Sequence, residues 1–106
     1  MNSRDKGKRG ERELAKVLSE NGYDCRRGQQ FNGADGSADV IGLDGIHIEC
    51  KRVERLNIYD AMYQSIADAR YEYNEIPVVM HRKNKKPWLV TMLLVDWLDM
   101  YGERHD

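Results

Sequence analysis

At 106 residues the chain has room for one small domain with its own core and none for a second. Its 41% hydrophobic and 33% charged residues suit a globular protein; no run is apolar enough to span a membrane, the N-terminus is charged where a signal peptide is apolar, and a cytoplasmic protein is expected. Cys25 and Cys50 are too few for a disulfide framework, no Cys/His cluster has zinc-ligand spacing, and a net charge of −1 directs attention to local clusters rather than to the sum.

Residues 8–21 predict an amphipathic helix, with Leu14, Val17 and Leu18 at helical spacing and Asn21-Gly22 as its stop. Residues 1–7 precede it as a flexible basic arm. Glu11 borders the apolar stripe, and Glu13 projects further from it. A carboxylate at a core edge needs a basic partner or a metal, unless it merely favours the positive end of the helix dipole. Residues 23–30 read as a first strand with Arg26 and Arg27 on opposite faces. Residues 29–37 contain Gly33 and Gly36 among polar neighbours and read as a mobile loop.

The loop leads into Ala38-Asp39-Val40-Ile41-Gly42-Leu43, a second strand with an acid near its start. Asp44-Gly45 then supplies a tight hairpin turn before Ile46-His47-Ile48-Glu49-Cys50-Lys51, a third strand. Alternation puts Glu49 and Lys51 on one face and Ile46, Ile48 and Cys50 on the other, so Cys50 is expected as a reduced thiol facing the core. An acid and a lysine two residues apart occur by chance in many solvated strands. Here the surrounding stretch is apolar, and pairing across the turn brings Asp39 close to Glu49 and Lys51. Two carboxylates and an amine so converged can hold a divalent metal and handle the proton of an attacking water. His47 falls on the Glu49 face, where a lone strand histidine is expected to be half-exposed.

A second helix starts at Leu56 or Asn57, with Ile58, Met62, Ile66, Ala69 and Tyr73 on one stripe. Gln64 lies nearly opposite that stripe. Residues 77–81 and 88–92 read as strands around the basic turn Arg82-Lys83-Asn84-Lys85-Lys86. Residues 94–101 form a last amphipathic helix, with Leu94, Trp97, Leu98 and Tyr101 spaced for burial. The order αβββαββα predicts an α/β fold, a mixed sheet flanked by helices.

Four blocks in this chain carry a resemblance. They are Gly7-Lys8-Arg9-Gly10-Glu11-Arg12-Glu13-Leu14, then Arg26-Arg27, then Ser37-Ala38-Asp39-Val40, then Glu49-Cys50-Lys51. In order and spacing they resemble the PD-(D/E)xK nuclease superfamily, more narrowly the archaeal-type Holliday junction resolvases and their small phage relatives. The match runs from about Lys6 to Lys51, roughly half the chain. Ala38 departs from the proline of the superfamily's name, a position that holds no metal. After Lys51 only the element order agrees, and it is that of a restriction-endonuclease-like core.

The resemblance implies a single nuclease domain over residues 1–106. It implies a Mg²⁺-dependent endodeoxyribonuclease, with Mn²⁺ substituting, selective for branched DNA. A symmetric homodimer in the cytoplasm of a bacterial, archaeal or phage-infected cell is expected by the same resemblance. Asp39 and Glu49 would be the main metal ligands, Glu11 the third acid, and the Cys50 carbonyl a helper. Lys51 would position or deprotonate the water, or stabilise the phosphorane. Lys8, Arg9, Arg12, Arg26, Arg27 and Arg52 would contact DNA. The dimer would form through Tyr59, Tyr63 and Tyr71 or through the strand at residues 88–92. Other readings are a nicking or flap-cutting nuclease of a phage or mobile element, and a DNA-binding module without activity. Converging acids that repel phosphate argue against the last.

Overall fold

The computed structural model describes residues 3–28 and 38–105; the loop expected at residues 29–37, with Ser37 of the third block, lies outside the described residues. The elements run α1 (Ser3–Glu20), β1 (Arg26–Arg27), β2 (Val40–Ile41), β3 (Ile46–Arg52), α2 (Ile58–Asp68), a 3₁₀ turn at Tyr71–Tyr73, β4 (Ile76–Arg82), β5 (Leu89–Met92) and α3 (Leu94–His105). The strands form one sheet in the order β1-β2-β3-β4-β5. β3 and β4 are parallel and every other pair is antiparallel. This is the mixed sheet flanked by helices that the element order predicts, a restriction-endonuclease-like fold.

α1 starts at Ser3, so residues 3–7 are helical where a flexible arm was expected. Gly7 and Gly10 lower local helix propensity, which hides these first turns from a sequence reading. At the other end Gly22 takes φ +97°, and the Gly22 and Tyr23 N–H groups return to the Ser19 and Leu18 carbonyls at 3.0 and 3.1 Å. These two bonds make a Schellman stop. Gly10 has a different role. A Cβ there would lie 2.5 Å from the Arg52 Cβ, so only glycine lets α1 approach β3 this closely.

Alternation along β3 and β4 divides the core between two faces. Leu14 and Ala15 of α1 pack on Val40, Ile48, Cys50, Val78 and Met80. On the other face Ala61 and Met62 of α2 pack on Val79. α2 is the crossover that parallel β3 and β4 require. Its N-cap Asn57 accepts the Asp60 N–H at 3.1 Å. The helix stops at Asp68, because Ala69 is extended and Arg70 turns to bind Glu75 through its N–H and its guanidinium. Tyr73 therefore leaves the apolar stripe expected for it and is exposed.

β1 and β2 have two residues each, shorter than the sequence suggests. The larger correction is at α3. Leu94, Trp97, Leu98 and Tyr101 are spaced for burial, yet all four are exposed, as are Leu89 and Val90 of β5. The stripe is real, but no other element packs closely against it among the described residues. Among the described residues no helix is long and apolar enough to cross a membrane.

Candidate active site

The hairpin between β2 and β3 builds the site. Ile46 N–H closes the turn onto the Leu43 carbonyl at 3.1 Å, with Gly45 at φ +80°. Val40 then pairs with Ile48, and the Asp39 N–H reaches the Ile48 carbonyl at 2.9 Å. Asp39 and Val40 thus both stand against Ile48, a one-residue bulge that leaves Asp39 beside Glu49. The Cys50 N–H donates to Asp39 Oδ2 at 2.9 Å. The two acids are 8% and 3% exposed and hydrogen-bonded to each other.

Two buried carboxylates side by side cannot both ionise cheaply. Burial, reinforced by the Glu49 charge, pushes the Asp39 carboxyl from its ordinary 3.8 up to about 7. The Cys50 N–H opposes this rise and the Glu11 charge adds to it. Paired, buried oxygen donors of this kind fit a hard divalent cation, which would take the place of the shared proton. The same burial, with Asp39 and Glu11 nearby, raises the Cys50 thiol well above its usual range. Cys50 is thus a free thiol turned to the core, with its main-chain N–H serving the site.

Glu11 approaches from α1 and is held by Arg27, whose Nε donates to Oε1 at 2.8 Å. Lys51 lies two residues beyond Glu49 on the same strand face and is half-buried. Glu13 joins three parts of the chain. Its oxygens accept from Arg52 Nε at 3.3 Å and Arg82 Nη1 at 2.8 Å, while Arg52 Nη2 donates to Asn84 Oδ1 at 2.9 Å. Arg27 and Arg52 thus have acid partners inside the protein. Arg9, Arg12 and Arg26 are exposed and Lys8 is half-buried. Lys6, Arg9, Glu13, Arg52 and Asn84 line an open cleft of about 460 Å³ beside the end of β3.

His47 corrects the sequence reading. It was expected to be half-exposed and is fully buried, because α2 covers the face it shares with Glu49. Its Nε2 lies 3.8 Å from Glu49 Oε2 and its Nδ1 3.7 Å from Glu75 Oε1. Burial raises the Glu75 carboxyl, but the Arg70 hydrogen bonds outweigh it and hold Glu75 below its ordinary value. Among the described residues, the three side chains whose ligand atoms gather within 4.8 Å are His47, Glu49 and Asp68. Asp68 went unnoticed in the sequence, since only the return of α2 over β3 brings it near. Gln64 is exposed, away from the apolar face of its helix.

A family model described as "Phage putative PDDEXK endonuclease" matches residues 2–104. No curated protein matches the chain. Among solved structures the chain is similar to Archaeoglobus fulgidus Hjc, a Holliday junction resolvase from an archaeal hyperthermophile. That match has a TM-score of 0.61 and 20% identity, and covers 79% of this chain and 74% of the other. At that identity it speaks for the fold.

Proposed function

The chain belongs to the phage PDDEXK endonuclease family, and from that premise we propose that it hydrolyses DNA phosphodiester bonds with Mg²⁺, or with Mn²⁺ in its place. Its preferred substrate is branched DNA such as a four-way junction. The observation that carries the reading is the burial of Asp39 against Glu49. That pair opposes folding unless it binds something positive, and a simple DNA-binding surface has no use for it.

Asp39 and Glu49 would hold the cation, with Glu11 and the Cys50 carbonyl supporting. When bound, such a cation neutralises charge developing on the phosphate and lowers the pKa of a water. The protein's own groups do the rest. The Cys50 N–H fixes the Asp39 carboxylate. Lys51 orients the attacking water and balances the charge of the phosphorane. Arg27 fixes Glu11 through their 2.8 Å pair. Lys8, Arg9, Arg12 and Arg26 hold phosphates on either side, and Arg52 shapes the cleft through Glu13.

The active form in this reading is a homodimer, since opposite strands of a junction must be cut in concert. The uncovered surface of β5 and α3 supports it. Leu89, Val90, Leu94, Trp97 and Leu98 are exposed there, as Tyr59 and Tyr63 are on α2 and Tyr71 in the turn after it. Exposed apolar residues of this kind suit a two-fold interface.

The test is a labelled substrate panel of four-way junction, flap, linear duplex and single strand, in Mg²⁺, Mn²⁺ and EDTA. Paired, metal-dependent nicks confined to the junction support the reading. Preference for the flap or the duplex keeps the nuclease and removes the resolvase. Tight junction binding without cutting in any metal leaves a binding module.

A further inference from the structure

The fully buried His47 has no hydrogen-bond partner at either ring nitrogen among the described residues. A buried polar group in that condition needs an explanation, and a bound ion is one. Nε2 faces Glu49 Oε2 across 3.8 Å, too long for a hydrogen bond and a normal separation for two ligands of one cation. Asp68, the last residue of α2, closes the set, with one ligand atom from each residue within 4.8 Å of the others.

We propose that His47, Glu49 and Asp68 form a second divalent-cation site, beside the one built on Asp39 and Glu49, with Glu49 shared between them. One nitrogen and two carboxylates select Mn²⁺, Co²⁺ or Zn²⁺ over Mg²⁺, which prefers oxygen donors alone. Bonds of about 2.1 Å set the ligand atoms of a tetrahedral ion ~3.4 Å apart, so groups up to 4.8 Å apart must close by up to about 1.4 Å as the ion binds. Asp68 ends its helix and is half-exposed, which leaves it room to do so. On the far side of the imidazole Glu75 stands 3.7 Å from Nδ1 and is itself held by Arg70 at 2.9 Å. A carboxylate there is placed to accept an Nδ1 proton if the two close by about half an ångström, which would leave the Nε2 lone pair for the ion. This site goes beyond the nuclease reading and does not depend on which DNA is cut.

The experiment is a Co²⁺ titration of the full chain, followed by calorimetry for stoichiometry and by proton NMR. An imidazole bound to Co²⁺ gives a strongly shifted, exchangeable ring N–H signal. The wild type is expected to show that signal. Asp68→Asn should weaken the corresponding binding at least about tenfold while circular dichroism stays unchanged. Asp39→Asn should lose the other cation and keep the shifted signal. Glu75→Gln should reduce the affinity without removing the signal. No shifted ring signal at saturating Co²⁺ would overturn the proposal and leave His47 between Glu49 and Glu75 without a cation. Unchanged Co²⁺ affinity in Asp68→Asn would overturn it as well. Because the readout is nitrogen ligation, a failure here leaves the nuclease reading standing, and a protein that cuts no DNA leaves this site standing.

Discussion

The Cys50 N–H donates to the Asp39 carboxylate at 2.9 Å across the β2–β3 hairpin, and this bond holds one acid of the site against the strand that carries the other. It also lowers the pKa of a carboxyl that burial and Glu49 raise to about 7. The site is therefore preorganised in position but protonated in part at neutral pH when no cation is present.

That balance sets the pH dependence of the metal-free protein. The folded chain keeps the Asp39 proton that the unfolded chain releases near the ordinary value of 3.8. Between about pH 4 and pH 7 the folded state binds more protons, so stability falls as pH rises and levels off above pH 7. The loss reaches about 4 kcal/mol at most. Denaturation in EDTA at a series of pH values should show the decline, and Asp39→Asn should flatten it. Cation affinity should change in the opposite sense, weakening as pH falls below about 7, because the ion must displace that proton.

Gly10 and Gly7 sit in the same helix with opposite expectations. Gly10→Ala places a methyl group 2.5 Å from the Arg52 Cβ and should push α1 off β3. A loss of about 1–3 kcal/mol in urea denaturation is expected. Gly7 has nothing within 4 Å of an added Cβ, so Gly7→Ala should be neutral or stabilising by up to about 1 kcal/mol.

The arginines divide by partner. Arg52 is tied to Glu13 and Asn84, so Arg52→Ala should lower stability by about 1–2 kcal/mol. Exposed Arg26 should behave differently. Arg26→Ala should leave stability unchanged and reduce by about one the slope of log affinity for DNA against log salt. Anisotropy titrations at several salt concentrations, beside denaturation curves, separate the two effects.

The apolar stripe of α3 predicts its own effect. Leu94 is 70% exposed and Trp97 47%, with Trp97 stacked on Tyr101 at 5.2 Å between ring centroids. Trp97→Glu should convert a dimer into a monomer in sedimentation velocity and change the unfolding midpoint little when both are measured as monomers.

Much of the site was legible because it depends on short-range rules. An Asp-Gly turn between two strands points to Asp39 lying near Glu49, although the extra residue at Asp39 and Val40 against Ile48 is not legible locally, and alternation alone sends Cys50 to the core and Glu49 to the opposite face. The residues that escaped depend on partners far away in the chain. His47 reads as half-exposed because a lone histidine on a strand usually is, and nothing local reveals that α2 folds over it. Asp68 reads as an ordinary helix-end acid for the same reason. Trp97 and Leu98 carry a true burial pattern, but the surface that would bury them is not among the described residues. Tyr73 was placed on a helix that Ala69 and Arg70 end early, under the control of the Arg70–Glu75 pairing.

The most direct measurement compares wild type with Glu49→Gln on one labelled four-way junction in Mg²⁺. Glu49 is 3% exposed beside Asp39, and the substitution preserves its volume while removing its charge. The wild type is predicted to nick the junction, and Glu49→Gln to bind it with similar affinity while cutting at least about a hundredfold more slowly. Equal cleavage by the two proteins would contradict the assignment of the site to Asp39, Glu49 and Lys51.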